Sequence, residues 1–310
     1  MSNNDGGEVE TIDADDTADR QLVFGAEAVP RSQWQLFRRR FFRHRVAMVG
    51  LFLLFVLFVC CFGATWIAPF DRNQQDLLLG PTPPSRDHLF GTDELGRDYL
   101  TEVLFAGQLS LKIGLAVAFL SVTVGVLIGA VAGYMGRALD QALMRLTDLF
   151  LVIPSIALLA VALRKFGTSG ITIILVLAGL GWMGIARLVR GQVLALRERE
   201  YIDAARAIGA STPRIIFRSI LPNLIGPIMV NASLGIAAAI IAESTLSFLG
   251  FGVQPPDTSW GNMLSQAAGY VGTPKVYMLY FPGIMILLTV LAVNFVGDGL
   301  RDAFDPQAKH

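Results

Sequence analysis

Six stretches of this sequence carry no charged side chain: 46–67, 113–134, 149–163, 166–186, 220–242 and 276–296. Five of them hold at least 21 residues. At roughly 1.5 Å per helical residue that is enough to cross a hydrocarbon core of about 30 Å. The third holds 15. It reaches spanning length only by starting near Ala142 and taking in Arg145 and Asp148, which are three apart and can pair on one helical face near the interface. The runs predict an all-α membrane protein with six transmembrane helices and both termini on one side. Composition agrees: 16% of the residues are charged, against about 25% in a soluble domain. Lysine plus arginine equals aspartate plus glutamate at 25 each, which argues against a basic nucleic-acid-binding protein.

Charge placement predicts the orientation. With a cytoplasmic N-terminus, 18 basic residues fall inside and 6 outside, with Lys112 at a boundary. The positive-inside rule favours that arrangement, against which Arg164 and Lys165 stand. Residues 1–37 read as a disordered acidic tail and flank, because the first 20 carry seven acids and one base and cannot bury enough apolar area to order themselves. Residues 38–68 form a first helix with a basic flank, 69–106 an external loop, 107–303 a five-helix core, and 304–310 a cytoplasmic C-terminus. Arg38-Arg39-Arg40-Phe41-Phe42 has the look of a twin-arginine signal, but the 22 apolar residues behind it exceed a signal core of about 7–15 residues.

Several chemistries are excluded. Cys60 and Cys61 are adjacent in an apolar run, which rules out a CxxC metal site and a disulfide scaffold. His44, His88 and His310 lie outside the apolar runs, which leaves no intramembrane zinc site or Ser/His dyad. Gly179-Leu180-Gly181-Trp182-Met183-Gly184 fits GxGxxG, yet no strand precedes it. Small residues for close helix packing are the better account. No phosphate-binding GxxxxGK[ST] occurs. The chain is not expected to bind a cofactor or a metal, or to be an enzyme.

The segment 197–222 combines consistent local signals. Residues 201–207 are rich in helix formers. Gly209 stands where a left-handed residue ends a helix. Thr212 can cap a second helix, with Pro213 at its first position, and Leu221-Pro222 opens the next span. Ala204, Ala205 and Ala207 form a small-residue surface that can seat in another protein's groove. An amphipathic helix lying on lipid is the alternative. The segment 91–98 reads as a structured turn. Thr92 and Asp93 can cap backbone amides, Gly96 allows positive φ, and Asp93, Arg97 and Asp98 are close enough for a local ion-pair network.

These residues carry a family resemblance. Asp203-Ala204-Ala205, Gly209 and Leu221-Pro222 resemble the EAA loop of ABC-importer permeases. Asp203 stands for the usual Glu, and Ser219 for the usual Ile, with Ile220 beside it. Phe90-Gly91-Thr92-Asp93-Glu94-Leu95-Gly96-Arg97-Asp98 resembles the FGTDxLGRD signature of the C-type subunit of dipeptide, oligopeptide and nickel permeases. The block beginning Glu243-Ser244-Thr245 and the ending Asp298-Gly299-Leu300-Arg301-Asp302-Ala303 are similar to that subunit too. The resemblance implies a bacterial inner-membrane importer subunit paired with a homologous permease, two cytoplasmic ATPase domains and an external substrate-binding protein. ATP and Mg would sit on the ATPase partners. It implies that Tyr201, Asp203, Ala204, Ala205, Gly209, Leu221 and Pro222 couple to the ATPase. Gly91, Thr92, Asp93, Gly96, Arg97 and Asp98 would form an external element beside the docking surface, or an anchor for the second span. Peptides are the implied cargo, with nickel, glutathione or haem as alternatives in the same family.

Polar residues within the spans are scarce. Asn231, Ser233 and Asn294 are the pathway candidates, with helix–helix hydrogen bonding as the other account. Glu243 and Asp298 fall at span edges, where interfacial exposure suffices. A secondary transporter is the alternative reading. It requires inverted repeats and midplane ionisable groups, and the centres of the runs are uncharged.

Overall fold

The computed structural model describes residues 33–304. The acidic segment 1–20 and residues 305–310 lie outside the described residues. Backbone polar groups in a hydrocarbon layer must be satisfied within their own segment, and all elements among the described residues are helices. Helix α1 (Gln33–Arg43) is separated from α2 (Arg45–Phe62) by extended His44, whose Nδ1 accepts from the Ala47 amide at 3.1 Å. Gly63 interrupts the first apolar run before the short α3 (Ala64–Ile67). The chain continues through α4 (Tyr99–Met135), α5 (Arg137–Val152), α6 (Ser155–Phe166), α7 (Gly170–Arg197), α8 (Glu200–Ala207), α9 (Thr212–Phe248, with π and 3-10 turns near its start), α10 (Trp260–Ala267) and α11 (Tyr277–Phe304).

Five helices are long and apolar enough to cross a membrane: α2, α4, α7, α9 and α11. The third run does not form a straight span. It divides into α5 and α6, which meet at 87°. Pro154 has no N–H to donate and drives the preceding residue out of the helical region. Ile153 accordingly stands at φ −79°, ψ 132°. Nor do Arg145 and Asp148 pair with one another: Asp148 reaches across to Arg187 of α7. Asp140, two turns earlier, receives Arg190 Nη2 at 2.6 Å.

Two predicted boundaries move. Helix α4 begins at Tyr99, inside the segment read as loop, because Asp98 caps it by accepting from the Thr101 amide at 2.9 Å. Helix α7 continues eleven residues past its apolar run, to Arg197.

The central contact is α4 against α7, and it is made through glycine. Gly125, Gly129 and Gly133 lie on one face of α4, spaced four apart. A β-carbon on Gly125 would stand 2.7 Å from the Trp182 carbonyl oxygen, and one on Gly133 2.9 Å from that of Arg190. One on Gly129 would press into the Ala186 carbonyl. Small residues thus let the two backbones approach closely. Of the GxGxxG glycines only Gly181 packs tightly, against Ser121, whereas Gly179 and Gly184 face open space. The packing role expected of that motif belongs mainly to α4. Helix α9 packs on α4 and α11, and α11 on α2. At its end, α11 holds α1 through Phe37 and Phe304, with ring centroids 4.3 Å apart.

Candidate functional site

Two clusters of predicted site residues take shape at opposite ends of α4. The first is the segment between α7 and α9. Helix α8 is anchored by Ile202, which is fully buried among Val189, Val193, Ile215, Ile216 and Ile220. Tyr201, Asp203 and Ala204 remain exposed on its outer face, with Ala205 half-buried. Asp203 accepts from Arg206 at 2.8 Å, and the Arg206 guanidinium lies over the Tyr134 ring of α4, 5.4 Å from its centroid. Gly209 stops the helix at φ +80°, with open space where a β-carbon would stand. The following helix is entered through extended Ser211 rather than Thr212, and Pro213 falls one residue later than expected. Ser211 makes no side-chain cap bond, so proline's fixed φ and missing N–H carry this start. Where Ser219 departs from the pattern, Ile220 supplies the buried contact. Leu221 and Pro222 lie in a 3-10 turn that leads into the long helical part of α9.

Between α8 and the start of α9 lies an open cleft of about 320 Å³, lined by Ala205, Ile208, Gly209, Arg214 and Arg218 among others. Ile208 is 85% exposed at its rim. An exposed apolar side chain beside a small-residue surface, flanked by guanidiniums, can seat an apolar and acidic partner surface. Ile202 and the Arg206–Tyr134 contact were not singled out in the sequence. Ile202 carried a weak signal, as the one aliphatic side chain larger than alanine between positions 199 and 207.

The second cluster is the 91–98 turn. Asp93 Oδ1 accepts from the amides of Leu95 and Arg97, both at 2.9 Å, and Oδ2 receives Arg97 Nη2 at 2.6 Å. Thr92 Oγ1 accepts from the Thr82 amide at 2.8 Å and donates to the Gly80 carbonyl at 2.6 Å. Gly91 and Gly96 sit at φ +78° and +70°. A side chain on Gly96 would collide with the Asp76 carbonyl. The expected three-residue ion network is smaller than predicted. Asp93 and Arg97 pair, but Asp98 is taken by the α4 cap and by His88 Nδ1 at 3.0 Å. Arg97 turns its other nitrogen toward buried Glu102, at 3.5 Å.

The turn is tied to the far end of the sequence. Tyr277 donates to the Thr92 carbonyl at 2.6 Å, and Lys275 meets Glu94 at 2.8 Å. Hydrogen bonds from Lys275 and Tyr270 hold the Glu94 carboxyl below the usual carboxylate range, and Glu94 in turn pushes the Tyr270 phenol up to about 12.

The pathway candidates separate. Ser233 is buried on α9 against Gly297 of α11, with its hydroxyl on the Val230 carbonyl at 2.8 Å. Asn231 bonds within its own helix, to the Pro227 carbonyl at 2.9 Å. Asn294, on α11, is half-buried. Glu243 is a correction. It is fully buried, not interfacial, and its Oε1 accepts from Ser247 at 2.7 Å and from Ser259 at 2.6 Å. The second bond joins α9 to the start of α10, beside buried Trp260. Asp298 is exposed, as expected.

No group of side chains suited to a metal ion is found among the described residues. The arrangement offers contact surfaces and a short helix anchored between two spans.

Residues 125–310 match the family model described as binding-protein-dependent transport system inner membrane component, and residues 32–84 match the N-terminal TM domain of oligopeptide transport permease C. The chain is 41% identical to the dipeptide transport system permease protein DppC of Bacillus subtilis, over 87% of this chain and 85% of the relative. It is 38% identical to the oligopeptide transport system permease protein OppC of Haemophilus influenzae, over 89% of each. The OppC of Mycobacterium tuberculosis is 40% identical, over 87% of this chain and 94% of that protein. Among solved structures, the inward-facing MetNI methionine ABC transporter superposes with a TM-score of 0.52 at 21% identity, over 66% of this chain and 96% of that one, a likeness of fold. A multi-pass chain with these motifs and these relatives is a membrane permease subunit, and it belongs to the family of binding-protein-dependent transport system inner membrane components.

Proposed function

We propose that this chain is the C-type permease subunit of an ATP-driven peptide importer. It would form half of the translocation pathway beside a homologous permease and receive cargo from an external substrate-binding protein. ATP and Mg would be bound and hydrolysed on two partner ATPase domains at the cytoplasmic face. Peptide cargo is supported by the dipeptide and oligopeptide systems of the relatives.

The observation that carries the coupling role is the construction of α8. Its outer face is free for a partner, while Ile202 on its inner face is locked into the cluster shared by α7 and α9. A displacement of α8 would therefore be passed to both spans, and to α4 through Arg206 and Tyr134. ATP-driven closure of the ATPase pair need only bind one permease conformation more tightly than the other to move the equilibrium. The turn at 91–98 has the build of a preformed docking element: glycine-shaped, ion-paired and tied to the start of α11.

The test is crosslinking from a cysteine at Ala205 in the assembled complex, in a background lacking Cys60 and Cys61. Crosslinks to the ATPase that change with nucleotide are expected. Crosslinks confined to lipid or to this chain's own spans would refute the assignment. Cargo is tested by uptake of labelled dipeptides and longer peptides against nickel, with the cognate binding protein present.

A further inference from the structure

The basic flank before the first span is a helix with two different faces. Inward, Phe41 is buried and Phe37 packs against the tilted ring of Phe304 at the end of α11. The neighbouring His44 places Nε2 3.2 Å from the Asp302 carboxylate, while its Nδ1 caps α2. Helix α1 is thereby fixed against the ends of two spans. Outward, Arg38, Arg39 and Arg43 are exposed beside exposed Leu36 and Phe42, and Arg45 follows at the start of α2. Helix α1 contains no acidic residue, and none of the ion pairs among the described residues uses these four arginines.

The apolar surface shows where this basic group lies. Val46, Val49 and Phe52 are exposed at helical spacing along α2, and Phe42 is exposed on α1 just before the break at His44. Lipid covering Val49 and Phe52 meets its polar boundary where this apolar face gives way to α1, on which Arg38, Arg39 and Arg43 lie within about one turn of exposed Phe42. Phosphate headgroups occupy this depth, and arginine matches them with paired donors. The positive-inside rule accounts for the sign of the flank, but it does not require a packed helix that sets exposed guanidiniums beside an apolar anchor.

We propose that α1 and the first residue of α2 form a binding surface for anionic phospholipid, with Arg38, Arg39, Arg43 and Arg45 on the headgroup phosphates and Phe42 and Leu36 among the upper acyl carbons. The surface selects phosphatidylglycerol or cardiolipin over zwitterionic lipid. This goes beyond the transport reading and does not depend on which membrane face bears α1.

The complex is placed in nanodiscs with equal phosphatidylcholine and phosphatidylglycerol, and the lipids it retains are counted by native mass spectrometry. The expected result is retention of phosphatidylglycerol over phosphatidylcholine by roughly fivefold. The R38Q/R39Q/R43Q/R45Q variant should lose that excess and the corresponding all-lysine variant should keep most of it. If the quadruple Gln variant does not assemble, R38Q/R39Q, altered only on the outward face, should lose about half of it. Equal retention by the wild-type and Gln variants overturns the proposal. So does a preference that emerges only after residues 1–20 are removed, which would make the acidic segment the occupant.

Discussion

Gly209 and Gly96 both have positive φ, +80° and +70°, but a side chain would meet different obstacles at the two positions. Around Gly209 there is open space. The cost of Gly209→Val is therefore backbone strain, roughly 1–2 kcal/mol, expressed as a changed angle between α8 and α9. The variant should reach the membrane at normal levels while uptake falls and ATP hydrolysis is uncoupled, as read by paired transport and ATPase assays. Gly209→Asn, which tolerates this conformation, should fall between it and wild type. At Gly96 the same strain is joined by collision with the Asp76 carbonyl, so even Gly96→Ala should open the turn. Protease cleavage within 72–98 should accelerate, with the spans still assembled. Glu243 presents a third kind of dependence. Glu243→Ala leaves the Ser247 and Ser259 hydroxyls buried without their acceptor, at about 1–3 kcal/mol for each unsatisfied group. Glu243→Gln keeps an acceptor oxygen. Thermal unfolding of the detergent-purified complex should rank Gln well above Ala, and equal losses would show that the hydroxyl contacts do not hold α10 in place.

At the scale of elements, the α4–α7 contact depends on the absence of side chains at Gly125, Gly129 and Gly133. Gly129→Leu should force these helices apart, because its β-carbon alone already presses on the Ala186 carbonyl. Gly179→Leu, on the partner helix but facing open space, should be tolerated. Expression and complex yield of the two variants provide the comparison, and equal yields would contradict the packing described here. This pair also shows what the sequence made legible. Apolar length is a local property, and it located all five long helices. The left-handed stop at Gly209 and the Asp93–Arg97 pair are local too, set within four residues or fewer. A GxGxxG pattern drew attention to α7, whereas the glycine stripe that does the packing is on α4. Spacing by four marks a small-residue face, and only the facing helix decides whether it is used. Asp148–Arg187 joins positions 39 apart, and Tyr277 reaches Thr92 across 185 residues. No periodicity announces such pairs. The bend between α5 and α6 was legible at Pro154, but counting uncharged residues weighs apolar length and ignores a missing N–H.

That bend decides the topology of the whole molecule. The 91–98 turn precedes α4 and the α8 segment follows α7. Gly125, Gly129 and Gly133 of α4 meet Trp182, Ala186 and Arg190 of α7 in the same order, so the two helices run parallel and the α5–α6 pair carries the chain back along the length of α4. With α4 spanning the bilayer, three crossings separate the two sites and they face opposite sides. Import as proposed needs this arrangement, since cargo arrives at one face and ATP is hydrolysed at the other. The charge distribution also favours it, with 18 basic residues inside against 6 outside. Gln75 and Ser211 are both exposed and suit single-cysteine labelling once Cys60 and Cys61 are replaced. In sealed, right-side-out vesicles, an impermeant maleimide should modify Gln75→Cys at once and Ser211→Cys only after permeabilisation. A cysteine at Gly167, in the turn after α6, should label from the same side as Gln75→Cys, because it follows the bent pair across the bilayer. Labelling of both Gln75→Cys and Ser211→Cys from outside would contradict the parallel packing of α4 and α7. It would also place α8 where no cytoplasmic ATPase can reach it, and the coupling proposal would fall with the topology.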